Sequence, residues 1–133
     1  MGNLSITAAD VGLIEALELI TAPAAEAITT GQVVRLDTST GKLTPANGSS
    51  SGESRAIGIA LSSAAAGITL TAVKRGIVDL GDAVTALNYD ADVYLSDTDG
   101  TLATTTGSVE KIIGRVVPLW AHTTPDKVLK VDL

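Results

Sequence analysis

The chain of 133 residues contains no cysteine, no phenylalanine, one tryptophan, two tyrosines and one histidine. Lacking cysteine, it has no disulfide framework, no thiolate metal site and no cysteine nucleophile. With so few rings, its core must be built from Val, Ile, Leu and Ala, side chains that fill thin layers between closely packed strands. Basic residues are scarce too: nine Lys and Arg stand against fifteen Asp and Glu, a formal net charge of −6. Binding to a phosphate backbone needs a basic stripe, so this balance argues against nucleic acid as a partner. No run approaches the roughly 18 apolar residues of a membrane span, and the N-terminus lacks the basic start and apolar stretch of a signal peptide. The expectation is a soluble chain with no membrane partner. Charged residues make up 18% of the chain against 45% apolar, which is low for a surface that is wet all over. Part of that surface is therefore expected to lie against a partner. The length suits one domain with a core of its own.

From Gly31 onward, short apolar runs alternate with Gly, Asp, Asn and Ser, the pattern of an all-β sandwich or barrel. The predicted strands are 32–37, 55–62, 68–74, 77–80, 92–96, 111–119 and 127–133. Period-2 alternation is clear in two of them. Ile68, Leu70 and Ala72 oppose Thr69 and Thr71; Leu129, Val131 and Leu133 oppose Lys130 and Asp132. The stretch 46–54 (ANGSSSGES) reads as a flexible loop with nothing to bury.

An internal repeat links these strands. Val34–Leu43 (VRLDTSTGKL) echoes Val93–Leu102 (VYLSDTDGTL). Each reads as a strand, a polar turn closing on glycine, and a second short strand. Each is followed by an Ile-Gly pair, Ile57-Gly58 and Ile113-Gly114, in a longer strand. The predicted fold is a small, compact β-barrel or β-sandwich made of two similar strand–hairpin units that close on each other and hide their edges.

Residues 1–22 differ and are assigned to an N-terminal arm, with the β-barrel over 23–133. Leu13, Ile14, Leu17 and Ile20 fall at helical spacing, and Thr7 with Asp10 resembles a capping box. Gly12 and the Leu19-Ile20-Thr21 run before Pro23 oppose a long helix. A helical turn over 8–15 and an extended piece over 16–22 are predicted, in an arm that becomes ordered in a complex.

A search for chemistry finds little. His122, the one histidine, has no nucleophile elbow to serve and reads as a surface residue beside Pro125. Asp97-Thr98-Asp99-Gly100 is faintly like the start of a calcium loop. It lacks the later acidic ligands and the flanking helices, and reads as a turn. Asn3-Leu4-Ser5 and Asn47-Gly48-Ser49 match the glycosylation acceptor but carry no weight without a secretory signal. Gly31, Gly41, Gly58 and Gly67 form no phosphate loop, and Glu15 with Glu18 reads as a solvated face. The expectation is a non-enzyme with no catalytic residue, no cofactor and no metal.

Several segments together carry a resemblance: 25–34 (AEAITTGQVV), 56–60 (AIGIA), 65–67 (AAG), 73–78 (VKRGIV), 92–95 (DVYL) and 113–116 (IGRV). Over about residues 17–133 the chain resembles the capsid cement, or head-decoration, proteins of tailed bacteriophages. The resemblance implies a structural protein, made in the host cytoplasm, that coats the outer surface of the expanded head. It implies homotrimers that clamp neighbouring major capsid protein subunits, with no active site to carry over. On that view Leu4, Ile6, Leu13, Ile14 and Leu17 are the capsid-facing or neighbour-facing contacts of the arm. The alternative for Leu13, Ile14 and Leu17 is packing on the protein's own barrel. The rival functional reading is a head-fibre, spike or neck module, in one form binding host glycan through Tyr89, Tyr94 and Trp120.

Overall fold

The Val-, Ile-, Leu- and Ala-rich runs pleat into strands because branched side chains pack well on a half-buried sheet and small ones let backbones approach. The computed structural model describes residues 2–119 and 127–133. Among these it is all-β: a 3₁₀ turn at Ala8–Asp10 precedes β1 (Val11–Pro23), β2 (Val33–Leu36), β3 (Leu43–Pro45), β4 (Ala56–Ala60), β5 (Thr69–Leu80), β6 (Asp92–Leu95), β7 (Leu102–Ala103), β8 (Ile112–Pro118) and β9 (Lys127–Asp132). All pair antiparallel in one sheet, in the order β3-β2-β4-β5-β9-β8-β6-β7, with β1 added on β5. The sheet curls into half a barrel.

The repeat predicted from the sequence is present in the strand ladder. Val34 lies opposite Gly58, and Val93 opposite Gly114. In both units the register then slips, so that Ile57 and Ile113 are the extra, bulged residues. Leu36 faces Leu43 in one hairpin and Leu95 faces Leu102 in the other. Both turns close on a glycine at positive φ, Gly41 and Gly100. The correspondence reaches further back than the sequence motif. Gly31 and Asp90 both have positive φ, and their N–H groups donate to Ala60 O and Val116 O.

The Ile-Gly pair now has a physical meaning. A Cβ on Gly58 would meet the Ala72 Cβ at 2.9 Å and Val73 O at 3.0 Å, and one on Gly114 would overlap Lys130 O. Each bulge presses its strand onto the neighbouring backbone, and only glycine leaves the room.

The main core gathers inward-facing residues from both units, among them Ile59, Val73, Val78, Leu95, Ile113 and Leu129. A smaller cluster around Ile28, Val34, Leu43 and Leu70 lies under the first unit. The two hairpins are stitched together by loop hydrogen bonds. Val33 N–H donates to Gly100 O, Gly100 N–H to Ala46 O and Gly48 N–H to Ser96 O. The barrel-like closure expected from the repeat is thus made by turns, where no strand ladder bridges β3 and β7.

Three local expectations are corrected. The predicted strands 68–74 and 77–80 are one continuous strand, β5, and Ile68 lies just outside it, 57% exposed. The helical turn predicted over 8–15 ends at Asp10, because Val11 onward pairs with β5. The stretch 46–54 does have something to bury: Ala46, Asn47 and Ser54 are buried. Ala46 joins the main apolar core, and backbone and side-chain hydrogen bonds, many through Asn47, order the rest.

Substituting Gly114→Ala is expected to destabilise the fold by about 3 kcal/mol. Gly58→Ala should cost less, because its nearest contacts, at 2.9 and 3.0 Å, are shallower than the overlap at Gly114. Gly52→Ala, with open space around it, should stay within about 0.5 kcal/mol of the parent. Urea unfolding of the three variants checks this order.

Candidate functional site

β1 is the element whose chemistry is least used by the fold. On its inner edge it pairs with β5 from Val11↔Leu80 to Pro23↔Thr69; among the described residues no strand pairs with its other edge. Its pairing is interrupted by bulges. The register passes from Leu13 to Glu15 and from Ala16 to Glu18, leaving Ile14 and Leu17 as the extra residues. Between the two bulges β1 crosses Gly76 so closely that a Cβ there would overlap Glu15 O.

The consequence is a rim of apolar side chains in water. Leu17 is 63% exposed, Leu19 44% and Leu13 41%, while Ile14 is half-buried. Glu15 and Glu18 are the charged residues within β1. Glu18 reaches Lys74 Nζ at 3.5 Å, a solvent-exposed pair worth little energy. The rim is therefore apolar and acidic. Unpaired N–H and C=O groups along such an edge invite another chain, and bulges with carboxylates are the devices that restrain indiscriminate pairing.

The other two predicted contact residues sit elsewhere. Leu4 and Ile6 are half-buried against the main core, and Leu4 N–H donates to Leu102 O at 2.8 Å. Asn3 continues this anchorage, accepting from Ser96 Oγ and donating to Thr98 Oγ1. The contact set implied by the resemblance grouped Leu4 and Ile6 with Leu13, Ile14 and Leu17; the structure places Leu4 and Ile6 against the core and Leu13 and Leu17 on the rim. Leu19 was missed as an exposed residue, since the predicted extended piece carried no assignment of faces.

The remaining candidates are accounted for by the fold where they can be described. Asp97 accepts from Ser108 N–H at 2.8 Å and from Ser108 Oγ at 2.7 Å. Asp99 Oδ1 accepts from Asn47 Nδ2 at 2.7 Å. The two carboxylates of this turn thus tie separate loops, and among the described residues no group of three or more His, Cys, Asp or Glu is placed to hold a metal. Tyr89 is half-exposed, with Lys127 Nζ 5.1 Å from its ring centroid. A concavity on the outer side of the second unit is lined by Asp92, Arg115, Lys130 and Asp132. Its arginine and one aspartate already have partners, Arg115 with Asp90 and Asp132 with Arg75. His122 and Trp120 lie outside the described residues.

The chain, with its two-unit β framework and the long β1 edge that no described strand covers, matches the model of a known family, described as phage cement protein, over residues 14–131. The chain belongs to the phage cement proteins. That membership gives it a structural role in the phage capsid, as the sequence resemblance had implied. No curated protein and no solved structure matches the chain.

The Asp97 contacts make a further expectation for this cement protein. The Ser108 side chain and N–H hold the Asp97 carboxyl below its ordinary value. A depressed carboxylate contributes stability above its unfolded value and loses it as pH falls through its folded one. Asp97→Asn should therefore flatten the fall in urea midpoint below the ordinary carboxylate range, relative to the parent. Parallel curves for variant and parent down to about pH 3 would show that the contact adds nothing.

Proposed function

We propose that the protein binds the outer surface of the expanded phage head as a homotrimer and clamps neighbouring major capsid protein subunits. It acts with no catalytic step and no cofactor. The observation that carries this reading is the β1 rim: a long sheet edge with exposed Leu13, Leu17 and Leu19 in a chain of the cement family. Leu13, Ile14 and Leu17 are the direct contacts. Leu4 and Ile6 contribute by fixing the segment that leads into β1, so their role in the contact is indirect.

The energetics suit the role. A shell ruptures where subunits separate, and a molecule bridging them adds its binding free energy to the cost of separation. Burying an exposed leucine contributes up to about 2 kcal/mol, so a few such anchors in an interface of standard size are enough for stable attachment. A trimer gains further, because after one subunit docks the other contacts become intramolecular. The acidic character of the rim favours a partner surface with arginine or lysine around an apolar centre.

Cosedimentation with mature heads, followed by cryo-electron microscopy of the complex, tests the reading. Leu17→Asp should weaken head binding by about tenfold or more while leaving the urea midpoint close to the parent's, because the side chain is mostly in water. Saturable binding with density over three-fold positions and β1 at the contact is the expected result. Absence of the protein from pelleted heads would overturn it and bring the fibre, neck or glycan-binding reading forward.

A further inference from the structure

Asn47-Gly48 is the one Asn-Gly step in the chain, and the structure treats its amide unusually. Asn47 is 5% exposed, and all of its side-chain hydrogen-bonding capacity is used. Nδ2 donates to Asp99 Oδ1 at 2.7 Å and to Glu53 Oε1 at 3.2 Å. Oδ1 accepts from the N–H and the hydroxyl of Ser49. The next nitrogen is equally committed, since Gly48 N–H donates to Ser96 O at 2.7 Å. Gly48 itself is wedged in place: a Cβ there would stand 3.0 Å from Leu95 O and 3.3 Å from Asp97 Oδ1.

We propose that Asn47 is a deamidation site that the native fold holds shut, and that its conversion prevents return to a fold of the parent's stability. The reaction is intramolecular. In an open chain the Gly48 nitrogen, after losing its proton to solvent base, attacks the Asn47 side-chain carbonyl carbon. The bond from that carbon to Nδ2 breaks, and the nitrogen leaves as ammonia with a proton from water. Water then opens the resulting succinimide at either carbonyl, leaving aspartate or isoaspartate at position 47. Glycine makes this step easy because no side chain shields its nitrogen or restricts its backbone.

Each requirement is blocked in the folded chain. The attacking nitrogen is buried and bonded to Ser96, the leaving nitrogen is clamped by two carboxylates, and the carbonyl oxygen is pinned to Ser49. The conversion would also place a new carboxylate against Asp99 and Glu53. Three like charges would then replace a donor between two acceptors, at a partly buried position that joins the first unit's loop to the second unit's turn. Isoaspartate would add a backbone carbon to a loop with no room for it. The site is thus silent while the protein stays folded and becomes an irreversible lesion once it opens.

The test uses the full chain incubated at mildly alkaline pH, in native buffer and in urea, with peptide mapping by mass spectrometry. Position 47 should convert in urea and be at least about a hundredfold slower in native buffer, because only the open state reacts. Asn3 and Asn88, followed by leucine and tyrosine, serve as internal references for the open chain. After removal of urea, the converted fraction should fail to regain the parent's unfolding transition. Asn47→Asp should lower the urea midpoint, and adding Asp99→Asn, which restores one donor–acceptor pair in reverse, should recover some of the loss. Equal conversion rates in the two buffers would overturn the protection, and a converted chain that refolds with the parent's midpoint would overturn the commitment.

Discussion

Everything in this fold depends on both edges of β5 being used. One edge carries β1 along its length. The other carries β4 at Ala72 and Val73 and then β9 from Arg75 to Val78. A strand twelve residues long can host two neighbours in succession only if those neighbours diverge, and their divergence starts the curl of the sheet. The first unit leaves through β4, β2 and β3, the second through β9, β8, β6 and β7. Twist accumulates in both directions until the hairpins meet and their turns exchange hydrogen bonds. Gly76 lies just past the division, opposite Val131 of β9, and its missing Cβ lets β1 cross there. The core is a consequence of this arrangement: small aliphatic residues from both wings fill the space that the curl encloses.

Much of this was legible because the repeat is written in residues with a steric meaning. Gly41 and Gly100 mark turns, and the Ile-Gly pairs mark bulges pressed against a neighbouring backbone, so motif spacing carried topology. The last strand was equally plain, with Leu129 and Val131 buried and Lys130 and Asp132 in water. The N-terminal segment was misread for a physical reason. Two bulges at Ile14 and Leu17 displace the apolar residues of β1 from a period of two. Leucines and isoleucines at 13, 14, 17 and 20 then fall at the spacing of a helix face. Loop 46–54 failed differently. Its order comes from Asn47 bonding to Asp99, a partner 52 residues away, and no local composition reveals such a bond.

The candidate site was half visible. Helical spacing singled out Leu13, Ile14 and Leu17, and the family resemblance added Leu4 and Ile6, but neither could divide the set. The anchoring role of Leu4 depends on Leu102, and Leu17 lies at a bulge that only the pairing with β5 reveals. An exposed leucine edge is a hazard for a monomer, since it offers both apolar area and unpaired backbone groups. Here the irregular register and the two glutamates make the edge a poor template for a flat, regular strand. What remains is a surface suited to a partner shaped for it, consistent with a family whose members serve as structural components of a capsid.

That arrangement also settles how load would travel if β1 is the attachment point. Force applied to the rim passes into β5 through a long antiparallel ladder, and β5 divides it between β4 and β9. When the pull runs along the strands, many hydrogen bonds share the load at once; when it runs across them, the bonds break in succession. A rim held at several leucines along β1 would favour the shared mode. From β5 the strain reaches both hairpins, which are held to each other by Gly100, Gly48 and the Asn47–Asp99 tie. The loop that composition marks as slack thus joins the two wings at the point where they would otherwise spread. The two halves are joined by these hydrogen bonds between turns, laid over an apolar core to which both halves contribute.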